Sequence, residues 1–124
     1  MYLKIEINGE LDALMQKVWP NKTEDELYWD AENVYEWVWI ALPEYQIYLN
    51  VSREHDWDEV HGNAPTYISG FSSDKEGSKR VKLISSEISS RIAQTLGCKV
   101  FAHAGNYGIG EREGILINVY EPQT

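Results

Sequence analysis

The sequence predicts an α+β domain in which an antiparallel or mixed sheet carries helices on one face. Several short segments alternate apolar and polar residues, as half-buried strands do. Two segments instead repeat apolar residues every three or four positions, as helices do, and clusters of glycine, proline and charge separate them. Because one face of a sheet must be buried, we expect the helices to cover it. With 124 residues, 43% of them hydrophobic, the chain predicts a single domain over 1–124.

The first half of the chain predicts a strand, a helix and a hairpin. The alternation in "YLKIEI" predicts a strand over 2–7, and the apolar stripe in "GELDALMQKVW" predicts a helix ended by Pro20. The segment "TEDE" at 23–26 has the spacing of a capping box, which predicts another short helical stretch over 24–30. Segments 35–42 and 46–52 each contain alternating inward and outward residues, and the turn "PEY" joins them. The two segments therefore predict an antiparallel hairpin.

The second half predicts the same order of elements. A polar loop over 53–65 leads to a strand over 66–72, and a helix over 78–97 ends at a glycine. Its apolar stripe comprises Val81, Ile84, Ile88, Ile92 and Leu96, while serines 85, 86, 89 and 90 are expected to face solvent. Segments 99–104 and 115–121 predict a final hairpin around a glycine-rich turn. The element order is therefore predicted to be roughly βαββ-βαββ.

The negative charge of the protein is concentrated in its first half. The chain has a net charge of −9. Residues 1–63 contain 14 of the 20 Asp and Glu residues but only four of the 11 Lys and Arg residues. All five tryptophans lie in the same half. Such a field repels phosphate, so we expect neither nucleic acid nor an anionic membrane as a partner. A basic protein is the natural complement.

The sequence also predicts a cytoplasmic protein. The first residues lack the basic and apolar regions of a secretory signal, and no run approaches the roughly 20 apolar residues of a membrane span. Cys98 is the single cysteine, which excludes an internal disulfide and suits a reducing compartment.

No catalytic or metal-binding signature stands out, so we predict no enzyme, no cofactor and no metal. The segment "HDWDEVH" at 55–61 is rich in possible ligands, but its spacing matches neither the HExxH helix nor a calcium loop. Cys98 and His103 are expected to point to opposite faces of a strand. The glycine-rich turn at 105–114 precedes a strand rather than a helix, unlike phosphate-binding loops. The catalytic alternative requires His55, His61 and His103 to converge with nearby carboxylates.

The most unusual stretch is "EDELYWDAENVYEW" at 24–37, where six carboxylates alternate with four large aromatic residues. It can be a solvated acidic face, with Trp19, Trp37 and Trp39 in the core. It can also be an interface, since aromatic anchors within a complementary potential are typical of tight protein complexes. The partner-binding residues predicted on this basis lie in two segments: Tyr28, Trp29, Asp30, Glu32 and Glu36 in the first, and Asp56, Trp57, Asp58 and Glu59 in the second.

In its small size, its acidic segments "EDELYWDAENVYEW" and "EHDWDE", its lone cysteine and its lack of a catalytic set, the chain resembles a class of bacterial proteins. These are the immunity proteins of contact-dependent growth inhibition and related polymorphic toxin systems. The resemblance implies that the chain binds and neutralises a cognate basic toxin domain, such as a nuclease. An adaptor with several weaker partners and a small enzyme are the alternatives.

Overall fold

The computed structural model describes residues 1–32, 35–54, 65–71, 77–105 and 114–122. These residues form seven strands and two helices, joined in part by a 3₁₀ turn at Pro43–Tyr45. The elements in chain order are β1 (Tyr2–Ile5), α1 (Leu11–Val18), β2 (Leu27–Glu32), β3 (Tyr35–Leu42), β4 (Ile47–Glu54), β5 (Thr66–Phe71), α2 (Gly77–Leu96), β6 (Val100–His103) and β7 (Leu116–Tyr120). The predicted loop at 55–61 and most of the glycine-rich turn lie outside the described residues.

The seven strands form one sheet in the order β2-β3-β4-β5-β1-β6-β7, and every neighbouring pair is antiparallel. With two helices added, this is the predicted α+β class. The first strand of the chain occupies an interior position, where Leu3 lies opposite Ile68 on one side and opposite Ala102 on the other. Among the described strands, the edges are β2, at the acidic end of the sheet, and β7.

The prediction of a helix over 24–30 is wrong, because β2 begins at Leu27. The local capping contacts are present: the Glu26 carboxylate accepts hydrogen bonds from the Thr23 N–H at 3.3 Å and the Thr23 hydroxyl at 3.1 Å. They close only one turn, in which the Leu27 N–H donates to the Thr23 carbonyl. From Leu27 onward inward and outward residues alternate, and this period of two favours pairing with β3.

The predicted order βαββ-βαββ is also wrong. The first part of the chain contributes an additional strand, β2, so the order is βαβββ followed by βαββ. The pairing differs as well. The first part joins the rest of the sheet through its last strand, β4, which pairs with β5. The second part instead uses the first strand of its hairpin, β6, which pairs with β1. The two parts are therefore not equivalent units of the sheet.

Both helices pack on the same face of the sheet and bury it. The predicted stripe of α1 is confirmed, since Leu11, Leu14, Met15 and Val18 are all buried. On α2, Ile88 and Ile92 are buried, and Val81, Ile84 and Leu96 pack partly buried against the same cluster. Among the described residues, neither helix is long and apolar enough to cross a membrane.

Ser89 contradicts the prediction that the α2 serines face solvent. It is fully buried, and its hydroxyl makes no hydrogen bond. Ser89 is one residue beyond Ile88 and three before Ile92, which brings it to the margin of the apolar stripe. The stripe facing the core is therefore broader than the apolar residues alone indicate.

Candidate functional site

The face of the sheet away from the helices carries a concentration of aromatic rings. Strand residues alternate between the two faces, and burial on β2, β3 and β4 follows this alternation closely. We term this side the aromatic face. On β2 to β5 its described side chains are those of Tyr28, Asp30, Glu32, Tyr35, Trp37, Trp39, Ala41, Tyr48, Asn50, Ser52, Glu54, Tyr67 and Ser69.

The register of the strands arranges these side chains in rows across the sheet. One row runs Tyr28, Trp39, Asn50, the next runs Asp30, Trp37, Ser52, and the last runs Glu32, Tyr35, Glu54. Residues directly opposite one another on neighbouring strands are close enough for their side chains to interact. Each ring of β3 is therefore flanked by polar or aromatic side chains of β2 and β4.

The acidic end of the aromatic face has one sign of charge. Asp30, Glu32 and Glu54 are exposed there, and the described part of this face on β2, β3 and β4 carries no Lys or Arg. Glu32 and Glu54 lie on either side of Tyr35, so their backbones are about 10 Å apart. Tyr28 and Tyr48 are about half exposed, at 48% and 57%. The arrangement presents large rings within a negative potential.

Arg53 is absent from this face because its side chain points to the other side of the sheet. It is 2% exposed and lies directly opposite Glu36, which is fully buried. The guanidinium donates to the carbonyl oxygens of Gly9 and Ile7, at 2.6 and 3.1 Å, and to the Thr66 hydroxyl at 2.9 Å. Burial lowers the pKa of Arg53, while the Glu36 charge acts in the opposite direction.

The structure places the predicted partner-binding residues of the first segment on both faces of the sheet. Tyr28, Asp30 and Glu32 share the aromatic face. Glu36 is buried on the helix side, so its prediction as a partner-binding residue is wrong. Trp29 also points to the helix side, where its indole N–H donates to the Glu36 carboxylate at 3.3 Å. Asp56, Trp57, Asp58 and Glu59 lie outside the described residues.

Two of the three tryptophans expected in the core occupy the aromatic face instead. Trp19 is buried as predicted, but Trp37 and Trp39 are half-buried on the side of β3 opposite Val38 and Ile40. The prediction overlooked a signal in β3: its residues alternate, so two tryptophans separated by one residue must share a face with each other but not with Val38. The same alternation places Tyr35 and Glu54 at the site.

Beyond β5, the same side of the sheet is covered by the end of the last hairpin. Tyr2 is 2% exposed, and its ring stacks on His103 with centroids 5.0 Å apart. The Gly114 N–H donates to the Tyr2 hydroxyl at 2.8 Å, and the Gly114 carbonyl accepts from His103 Nδ1 at 3.0 Å. A side chain at Gly114 would collide with the Ala104 carbonyl oxygen. The exposed aromatic surface therefore lies toward β2, β3 and β4.

The described residues offer little support for a catalytic or metal centre. They bring together no group of three or more His, Cys, Asp and Glu that could hold a metal ion. Of the three histidines in the catalytic alternative, only His103 lies within the described ranges. Cys98 precedes β6 instead of sharing a strand with His103, and it packs against the hydrophobic core. Burial raises the pKa of the Cys98 thiol.

A polar cleft of about 190 Å³ lies on the helix side of the protein, beside the turn that precedes β2. Arg91 stacks over Trp19, 5.5 Å from the ring centroid, and donates to the Val18 carbonyl at 2.9 Å. Lys22 and Glu26 form an ion pair at 3.6 Å on its wall. Arg91, Lys22 and Glu26 are thus engaged with each other, with a ring or with the backbone. The Glu44 carboxylate also lines the cleft, and this mixture of charges favours no single ligand chemistry.

Comparisons of the chain with protein-family profiles, with curated proteins and with solved structures gave no significant match.

Proposed function

We propose that this chain is an immunity protein that binds and neutralises a basic toxin domain in the cytoplasm through the acidic end of its aromatic face. The observation that carries the proposal is the shared face of three exposed carboxylates, Asp30, Glu32 and Glu54, and the rings beside them. Complementary charge speeds the encounter of two proteins, and buried aromatic anchors slow their separation. Carboxylates and aromatic rings lie in the same rows and in neighbouring rows of the aromatic face.

The binding surface proposed from the structure differs from the one proposed from the sequence. It retains Tyr28, Asp30 and Glu32 and gains Tyr35, Trp37 and Glu54, since the register places all six on one face. Glu36 and Trp29 instead support the surface from behind. Their side chains stabilise the strands that present the rings but do not contact a partner docked on the aromatic face.

The proposal is tested by the rate at which the chain associates with a basic toxin domain, sought first in the reading frame immediately upstream of its own. The triple variant Asp30→Asn, Glu32→Gln, Glu54→Gln removes three charges from the aromatic face. The matched control Glu10→Gln, Glu44→Gln, Glu121→Gln removes three exposed charges elsewhere. Stopped-flow binding at low and moderate salt should show a slower association for the first variant and a weaker salt dependence, because fewer charges then steer the encounter.

The control separates local from overall charge. An equal slowing by both variants would mean that net charge alone attracts the toxin, and unchanged rates in both would remove the electrostatic role of the face. Growth of cells that express the toxin domain with each variant provides a second readout. Loss of protection only in the face variant supports the proposal, whereas a basic domain that shows no binding to the unmodified chain contradicts it.

A further inference from the structure

A short side chain lies between two aromatic residues at the centre of the aromatic face. Ser52 on β4 is directly opposite Trp37 of β3 and Tyr67 of β5. Two strand spacings separate the backbones of Trp37 and Tyr67, a distance of about 10 Å. Because side chains stand roughly perpendicular to a sheet, the two rings form walls on either side of Ser52, which forms the floor between them. We term this arrangement the aromatic slot.

The aromatic slot is partly open and has room for one planar group. A planar group stacked between two rings needs about 7 to 8 Å between the ring planes, since a contact between carbon atoms spans about 3.5 to 4 Å on each side. Ser52 remains partly exposed, so the rings do not close over it. Tyr2 of β1 contacts the Tyr67 ring in an edge-to-face arrangement, with centroids 6.0 Å apart. It supports this wall from the side away from Ser52.

The exposed charges beside the aromatic slot are negative. Glu54 lies two residues beyond Ser52 on β4 and therefore shares its face, and Asp30 of β2 lies opposite Trp37. Both carboxylates are exposed. On the other side of the slot, Lys4 of β1 forms an ion pair with a neighbouring carboxylate at 3.5 Å. The charge and the flat walls of the slot thus favour a group that is both cationic and planar.

We propose that the aromatic slot binds an arginine side chain of the toxin domain. The inference rests on the proposed function and names the group through which the partner docks. A guanidinium is planar, stacks on aromatic rings and can donate to a carboxylate such as that of Glu54 at the same time. A lysine ammonium has the same charge but is compact and more strongly hydrated, so it gains less from flat walls. Arginine is also enriched among the residues that dominate binding energy in protein complexes.

The test titrates the full chain with two peptides of equal charge, acetylated and amidated hexa-arginine and hexa-lysine, in isothermal titration calorimetry. Charge attracts both peptides to the acidic end of the face, so a difference in affinity between them isolates the stacking of the guanidinium. We expect the arginine peptide to bind about fivefold more tightly, the equivalent of about 1 kcal/mol. Equal affinities would overturn the proposal, because charge alone would then account for the binding.

A matched pair of variants locates the preference for arginine. Ser52→Leu fills the floor of the aromatic slot without a change of charge, and Ser86→Leu makes the same change at an exposed position of α2. Only Ser52→Leu should remove the preference. Trp37→Leu and Trp37→Phe provide a second pair in case Ser52→Leu perturbs the fold, which circular dichroism reports. The preference should be lost with leucine and largely kept with phenylalanine, and its persistence in both Ser52→Leu and Trp37→Leu would overturn the proposal.

The toxin domain separates failure of this inference from failure of the proposed function. Ser52→Leu should speed dissociation of the toxin domain about fivefold, whereas Ser86→Leu should leave it unchanged. A toxin domain that binds the unmodified chain and Ser52→Leu equally well would leave the immunity function intact and overturn the arginine contact. A chain that prefers the arginine peptide but binds no basic toxin domain would contradict the proposed function, and with it the assignment of the arginine to a toxin.

Discussion

Glu36 and Arg53 face each other across β3 and β4 on the helix side of the sheet, 0% and 2% exposed. The pair ties three regions together, because the guanidinium also holds the carbonyls of Ile7 and Gly9 and the Thr66 hydroxyl. Opposite charges buried near each other are not in themselves strongly stabilising, but removal of one of them leaves an uncompensated charge in the interior. This distinction leads to the first prediction.

We expect Arg53→Leu to lower the free energy of unfolding by about 3 to 5 kcal/mol, because it leaves the Glu36 charge and three acceptors without their donor. Glu36→Gln should cost less, roughly 1 to 3 kcal/mol, because the Arg53 guanidinium that it leaves keeps its three other acceptors, and an amide oxygen can still accept from the Trp29 indole. Urea denaturation measures both. Equal costs would show that the guanidinium contacts to Ile7, Gly9 and Thr66 contribute little beyond the charge pair.

A second prediction concerns the close approach of α2 to β5 at Gly70. A Cβ added at Gly70 would lie 2.8 Å from both methyl groups of Val81, which is too close for an ordinary contact. The β-branched valine side chain has few ways to move aside. We expect Gly70→Ala to destabilise the protein by about 1 to 3 kcal/mol through overpacking.

The double-mutant cycle with Val81→Ala isolates this contact. Gly70→Ala should cost clearly less in the Val81→Ala background, because the clashing methyl groups are gone. The same cost in both backgrounds would mean that another contact, or the backbone itself, requires glycine at position 70.

A third prediction concerns Trp37, which lies in the row between Asp30 and Ser52. If its ring anchors the toxin, Trp37→Ala should speed dissociation by an amount worth roughly 2 kcal/mol and leave the association rate nearly unchanged. Trp37→Phe should restore part of the effect. Leu83→Ala removes an exposed apolar side chain on α2 and serves as the control. A Trp37 variant that binds normally would restrict the interface to the carboxylates.

A fourth prediction follows from Cys98, whose thiol pKa is raised by burial. A thiol with a raised pKa forms less thiolate at neutral pH, so Cys98 should react with a thiol reagent more slowly than a free cysteine does. The pKa of the Cys98 thiol is higher in the folded state than in the unfolded state. Its contribution to the free energy of unfolding is therefore fully present below the unfolded-state pKa and is lost as the pH rises through the folded-state pKa.

The free energy of unfolding should therefore fall more steeply with alkaline pH in the unmodified chain than in Cys98→Ser. The difference should be small, since the thiol is only partly buried. Identical alkaline profiles, together with rapid alkylation of the native protein, would contradict the burial of the thiol.

Local periodicity was sufficient to predict most elements but not the arrangement of the site. The stripes of α1 and α2 and the alternation of the hairpin strands are set by which side chains must be buried, so these elements were predicted correctly. The segment after Thr23 was not, because its capping contacts favour a helix locally while pairing with β3 favours a strand. Here the tertiary contact determines the structure.

The errors at the site have a related cause. Charge and aromaticity drew attention to the segment that forms β2 and β3, but Glu36 and Trp37 are adjacent in sequence and belong to opposite faces. Glu36 is buried opposite Arg53, and this juxtaposition depends on the register of β3 and β4.

The interior position of β1 bears on how the chain folds during synthesis. Strands β2, β3 and β4 pair with their immediate neighbours in sequence, so this meander can form early, whereas β1 must wait for β5 and β6. Pairing between segments so distant in sequence makes folding slow, because the entropy of closing long loops is lost before the contacts form. We therefore expect the acidic meander to form before β1 is paired on both sides, because β1 needs both β5 and β6.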